Sequence, residues 1–188
     1  MVTRNTCRAM TACATALVVM LAAIGCSSSS KSAKWKNPVT REVKAERTIA
    51  QFKRADPGLK KLFDEAYGYV VFPSVGKGGL IVGGARGDGV VYEQGKAVGY
   101  ATLTQGTVGA QIGGQVFSEI IFMQDRAAML HFKQGHAELS AQVAAVAARA
   151  GASAAADYAD GVVVFITGEK GLMAEASVGG QGFSYVPK

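Results

Sequence analysis

The sequence is poor in cysteine, histidine, proline and charge, and each shortage excludes something. Its three cysteines, Cys7, Cys13 and Cys26, all fall in the first 26 of 188 residues. The rest of the chain has none, so a folded body there holds no disulfide and no thiolate metal site. The two histidines, His131 and His136, lie five apart. That is not the i, i+4 spacing that puts two imidazoles on one helix face for zinc, so neither a metal nor a cofactor is expected. No G-x-x-x-x-G-K-[ST] loop occurs and no nucleophile–base set is recognisable, which argues against an enzyme. Four prolines and no G-X-Y period exclude collagen. Charged residues make up 18% and apolar ones 49%. That composition excludes a disordered chain and supplies a core for one domain. Glycine is abundant instead, 24 residues, nearly double the ordinary share of about 7%.

The first 25 residues read as an address. Arg4 and Arg8 precede the apolar run 11–24, which is too short to span about 30 Å of hydrocarbon as a helix. The run ends in Leu21-Ala-Ala-Ile-Gly-Cys26, which resembles the lipobox of bacterial lipoproteins. Such a resemblance implies cleavage before Cys26 and acylation of its thiol, palmitate included. Two or more acyl chains give stable anchoring. Ser27 after the cysteine favours the outer membrane by the same resemblance. Residues 26–38 then form the acylated cysteine and a Ser/Lys-rich tether.

Charge is uneven along the mature chain. Residues 31–61 carry ten Lys/Arg and three acids, net +7, whereas residues 62–188 carry eight and eleven, net −3. A basic arm on a mildly acidic body is an interaction signature, and Lys44, Arg47, Lys53, Arg54, Lys60 and Lys61 are its candidate binding residues. The pI near 9.3 comes mostly from this arm, and a secreted chain sets nucleic acid aside as a partner. Residues 39–54 predict a helix. Asp56-Pro57 predicts an N-cap and first position for a second, with Leu59, Leu62, Phe63 and Ala66 on one face. Ile49, Phe52 and Phe63 could join the arm's surface or pack the helices on the body.

From Ala66 the texture changes. Residues 68–114 hold 14 of the glycines. Gly76–Gly79, Gly87-Asp-Gly89 and Gln94-Gly-Lys96 separate short apolar runs, the pattern of antiparallel strands joined by tight turns. On this reading Arg86-Gly87-Asp88 sits in a hairpin turn, for backbone reasons rather than for adhesion. Alternation over 107–116 predicts a strand, 117–123 continues as strand, and Asp125 caps a short helix over Arg126–Phe132. The alanine-rich stretch 136–156 fits helix by propensity and strand by alternation over 137–143. Val162–Thr167, Leu172–Val178 and Phe183–Val186 read as closing strands. Glycines inside strands imply bending or close approach. The expected fold is α+β: short N-terminal helices, then a Gly-rich antiparallel β-barrel or sandwich body with one short inserted helix.

Several runs together resemble the SYLF domain, over about residues 40–188. They are Ala66-Tyr-Gly-Tyr-Val-Val-Phe-Pro-Ser-Val75, Gly78–Gly84, Gly87–Val91, Gly109-Ala-Gln-Ile-Gly-Gly114, Phe122–Phe132 and Gly168–Ala174. Eukaryotic members carry a Trp-Ser-x-Pro-like stretch before the Gly-x-Gln-x-Gly-Gly run. Here Tyr100–Gln105 stands instead, similar to bacterial lipoprotein members. The resemblance implies a strand over 136–147 and a lipid-binding module. Eukaryotic members bind phosphoinositides and fungal ones also actin; anionic membrane recognition is the part that transfers to a bacterial envelope protein. The expectation is an envelope lipoprotein, anchored through Cys26, with residues 39–188 as a SYLF-like domain that binds anionic phospholipids. The alternative is a non-catalytic structural or partner-binding envelope lipoprotein, its protein partner unknown.

Overall fold

Local chemistry starts the fold. In the computed structural model, which describes residues 37–79, 82–108, 113–135, 145–147, 149–168 and 181–188, Asn37 caps helix α1 (Pro38–Ala55). Its side chain accepts the Val39 N–H at 3.0 Å, and Pro38 takes the first-turn place where a missing N–H does no harm. Ala45, Thr48 and Phe52 recur on one side of α1 and are buried. Helix α2 (Leu59–Glu65) follows, with Leu59 buried. Seven strands come next: β1 (Gly68–Gly79), β2 (Val82–Glu93), β3 (Lys96–Val108), β4 (Gly113–Met123), β5 (Ala145–Ala147), β6 (Val162–Gly168) and β7 (Gln181–Pro187). Helix α3 (Arg126–Lys133) follows β4, capped by Asp125, which accepts the Ala128 N–H at 2.9 Å. A 3₁₀ turn occupies Ala152–Ala155. Among the described residues no helix is long and apolar enough to cross a membrane.

The strands form one sheet in the order β5-β6-β4-β1-β2-β3-β7, antiparallel except for the β5–β6 pair. Gln94 and Gly95 turn β2 into β3 with φ of +49° and +77°, the left-handed pair a two-residue hairpin needs. Register shifts on both sides of β1 between Val71 and Val75. Pro73 cannot donate to the ladder there, and Ser118 Oγ donates to its carbonyl at 2.8 Å.

Each face of the sheet has its own core. On the outer face Tyr69, Val71, Val90, Ile120, Phe122, Val163 and Phe165 pack with Ala45, Phe52 and Leu59 of the helices. On the other face Phe72, Val75, Leu103, Ile121, Ile166 and Phe183 pack with Met129 and Phe132 of α3. This second face is concave. Three strand spacings separate β1 from β7 in the sheet order, about 14 Å if flat, yet the Phe72 and Phe183 ring centroids are 6.0 Å apart. The sheet curls around this core without a pairing that closes it among the described strands.

The α+β class, the N-terminal helices and the inserted helix therefore stand, with the β body a single curled sheet. Three local expectations are corrected. Neither Gly76–Gly79 nor Gly87-Asp-Gly89 is a turn: the first lies inside β1 and the second inside β2, Gly87 opposite Val75, and Asp88 Oδ1 accepts from Thr102 Oγ1 at 2.9 Å across to β3. The alternation over 107–116 is divided between the end of β3 and the start of β4, which lie on opposite sides of the β1–β2 pair. Asp56 does not open α2, which begins at Leu59; its carboxylate is drawn inward instead, as shown below. The 145–147 segment is strand, as the resemblance implied, and not helix. The strand expected over 172–178 lies outside the described residues.

Candidate functional site

The six basic candidates all lie on the two helices that cover the outer face. Lys44, Arg47, Arg54, Lys60 and Lys61 are exposed, and Lys53 is half-buried with its ammonium 4.5 Å from the Phe63 ring centroid. At 100° per residue, Val43, Arg47, Ala50 and Arg54 form the stripe directly opposite Ala45 and Phe52. Val43 within it and Val39 beside it are exposed. The apolar candidates for this surface do not join it: Phe52 is fully buried, and Ile49 and Phe63 pack against the outer core. The helices differ in charge. Helix α1 carries Arg41, Lys44, Arg47, Lys53 and Arg54 against Glu42 and Glu46, net +3. Helix α2 carries Lys60 and Lys61 against Asp64 and Glu65, net zero, with Lys61 4.0 Å from Glu65. Glu42 is engaged by Lys188 at 2.7 Å and by the Tyr100 hydroxyl at 3.3 Å. Cys26 lies outside the described residues.

What holds the helix pair in place is Asp56, buried at the junction of α1 and α2. Its Oδ1 accepts the N–H of Gly58 at 3.0 Å and of Gly151 at 3.3 Å, and its Oδ2 accepts the N–H of Ser153 at 2.7 Å. Burial raises the pKa of this carboxyl, but the hydrogen bonds from Ser153, Gly58 and Gly151 outweigh burial and hold it below the ordinary 3.8.

A second buried acid escaped the sequence reading. Glu119 of β4 points into the concave core, opposite Phe72 on one side and Ile166 on the other. Burial pushes its carboxyl up to about 7, against a hydrogen bond from Gln181 that favours the charged form. Gln181 Nε2 donates to Glu119 Oε2 at 3.4 Å, and the other oxygen of each side chain has no partner. The signal was present: one acid inside the apolar run Phe117-Ser-Glu-Ile-Ile-Phe-Met123. Its partner, 62 residues away, gave none.

Comparison with known proteins covers much of the same ground. Residues 104–185 match the family model Ysc84, described as "Las17-binding protein actin regulator". The chain is 32% identical over 138 residues to Beta cell expansion factor A of Aeromonas veronii, an alignment that takes in 72% of this chain and 52% of the relative. The chain thus spans about half the length of the curated relative it matches. The Ysc84 domain is the SYLF domain, a binding module rather than a catalyst, and a match to it supports lipid binding. Residues 104–185 are thus a match to the Ysc84 (SYLF) domain, which agrees with the resemblance read from the sequence over that stretch.

Proposed function

We propose that this chain is an envelope lipoprotein of the outer membrane, acylated at Cys26, whose domain binds anionic phospholipid membranes through the basic outer surface of α1 and α2. The observation that carries this reading is the division of α1. Ala45 and Phe52 face the sheet, while Arg47 and Arg54 are exposed on the opposite stripe, so cations lie along the helix surface turned away from the core. A basic side chain near an anionic surface contributes about 1 kcal/mol. With α2 neutral overall, most of the attraction falls to α1. Salt weakens it, since exposed charges are screened within about 8 Å at physiological ionic strength.

The test is vesicle sedimentation of an anchor-free chain, residues 31–188, which contains the compact unit Asn37–Lys188. Changing Lys44, Arg47, Lys53, Arg54, Lys60 and Lys61 together to Gln should abolish binding to anionic vesicles at low salt. It should move Tm by no more than a few degrees, because exposed substitutions typically stay within about 0.5 kcal/mol. Undiminished sedimentation of the variant would move any lipid site to the sheet. The second reading, a structural or partner-binding lipoprotein, is favoured by the family description, which speaks of protein binding. It gains if the parent itself ignores anionic vesicles.

A further inference from the structure

Glu119 and Gln181 meet where the curled sheet approaches itself. Strands β1, β2 and β3 lie between β4 and β7 in the sheet order. Four spacings would put the two residues about 19 Å apart in a flat sheet, yet they are in hydrogen-bond contact at 3.4 Å. Their contact is therefore a seam, and what it bonds decides how firmly the C-terminal edge strand is held over the concave core.

The seam is incomplete with an ionised carboxylate. Glu119 then offers acceptors only, the Gln181 amide has one carbonyl acceptor, and Oε1 of each is buried without a partner. A proton on Glu119 supplies the missing donor. A carboxylic acid and a primary amide can exchange two hydrogen bonds, amide N–H to carboxyl oxygen and carboxyl O–H to amide oxygen. The first is already in place.

We propose that Glu119 and Gln181 form a proton-dependent lock: the protonated acid holds β7 against β4 across the mouth of the sheet, and ionisation loosens it. The surroundings leave the proton as the variable. From β1 the facing residue is Phe72 and from β6 it is Ile166. Lys77 shares the concave face but stands in register with Gln115, not Glu119. Gln105, uncharged, pairs with Gln181 from β3. Glu93, joined to Lys133 of α3, belongs to the far end, opposite Gly68. What loosening uncovers is the apolar interior around Phe72, Leu103 and Phe183. The lock stands whether or not α1 binds lipid.

The direction with pH follows from linkage. Glu119 titrates near 7 in the closed sheet, against an ordinary 4.5 once exposed. Closure therefore binds a proton between these values and weakens as pH rises through them, then levels off. Hydrogen exchange of the full chain between pH 4.5 and 8.5, corrected for intrinsic rates, reads this directly. Protection of the β7 amides relative to β1 should fall up to about tenfold per pH unit towards pH 7 and then plateau. In Glu119→Gln, which keeps an amide pair and cannot titrate, it should be flat. In Gln181→Ala, protection at pH 5 should drop at least about tenfold, because the neutral acid has lost its complement. The lock is overturned if the parent shows no pH dependence confined to β7. It is equally overturned if Glu119→Gln keeps the parent's profile, or if Gln181→Ala is as protected as the parent at pH 5.

Discussion

Asp56 lies under the helices that cover the outer face, Glu119 on the concave face, and each is about 1% exposed. Equal burial has opposite consequences. Asp56 is met by three backbone N–H groups, so its charge is preferred to the neutral acid. Glu119 is met by one amide and faces Phe72 and Ile166, so its charge is disfavoured. Glycine shows the same contrast. On the concave face a Cβ at Gly89 would meet Phe72 Cδ1 and the Val71 carbonyl oxygen, both at 2.7 Å. On the outer face a Cβ at Gly76 or Gly106 would meet nothing within 4 Å. The concave side is crowded at Gly89 and leaves one oxygen each of Glu119 and Gln181 without a partner. Under the helices the outer side meets Asp56 with three donors but leaves the Tyr92 hydroxyl without a partner, and beyond the helices it is open at Gly76 and Gly106.

The largest effect should come from filling the crowded side. Gly89→Val would drive a branched side chain into Phe72 and into backbone, and only the ring can move aside. Overpacking of this kind costs about 3 kcal/mol, which lowers Tm by about 6–12 °C in a domain of this size. A thermal melt showing a loss under a degree would mean that the curl at β2 is looser than its contacts imply.

Next comes the outer carboxylate. Asp56→Ala removes the acceptor of the part-buried Gly58, Gly151 and Ser153 N–H groups and should cost about 1–3 kcal/mol. Because folding lowers this pKa below 3.8, its contribution is full above that value and is lost as pH falls through the lower folded value. Acid melts should show the parent losing stability below about pH 3.8 and the variant losing less. Glu119 acts in the opposite sense, weakening the fold as pH rises from 4.5 towards 7. Similar acid dependence in parent and Asp56→Ala would leave the contrast between the two carboxylates without its outer half.

Much of this was legible in the sequence, and the parts that were not share a cause. Both N-terminal helices and the Asp125 cap could be read because their determinants sit within a few residues of each other. The Gln94-Gly95 turn was readable for the same reason. Strand boundaries were not. Gly87 and Gly89 read as punctuation, whereas their role is to leave room for Val75 and Phe72 of the neighbouring strand. Nor could the faces be assigned along Val70–Phe72, Ile120–Met123 or Val163–Ile166. Both sides of those strands are buried, so no alternation survives. The basic arm was legible as composition, but the separation of Arg47 and Arg54 from Phe52 came from the packing of α1. The Asp56 latch joins residues 95 and 97 apart, and nothing local announces it.

The smallest effect should be a gain. Gly76 and Gly106 are exposed, each is paired in the ladder, opposite Arg86 and Gly84, and neither is among the described glycines with positive φ, which are Gly95, Gly135, Gly151 and Gly161. Neither conformation nor close packing requires glycine there. Glycine inside a strand forgoes about 0.5–1 kcal/mol of stability relative to alanine through the freedom it loses on folding. A β-branched residue fits a pleated surface better still. Gly106→Thr should therefore raise Tm by about 1–4 °C, and Gly76→Thr should do the same. Gly89→Ala, on the same strand-forming logic but against a full concave face, should lower it. If Gly106→Thr and Gly76→Thr also destabilise, the outer surface beyond the helices is covered in solution, and openness would no longer distinguish it from the concave side.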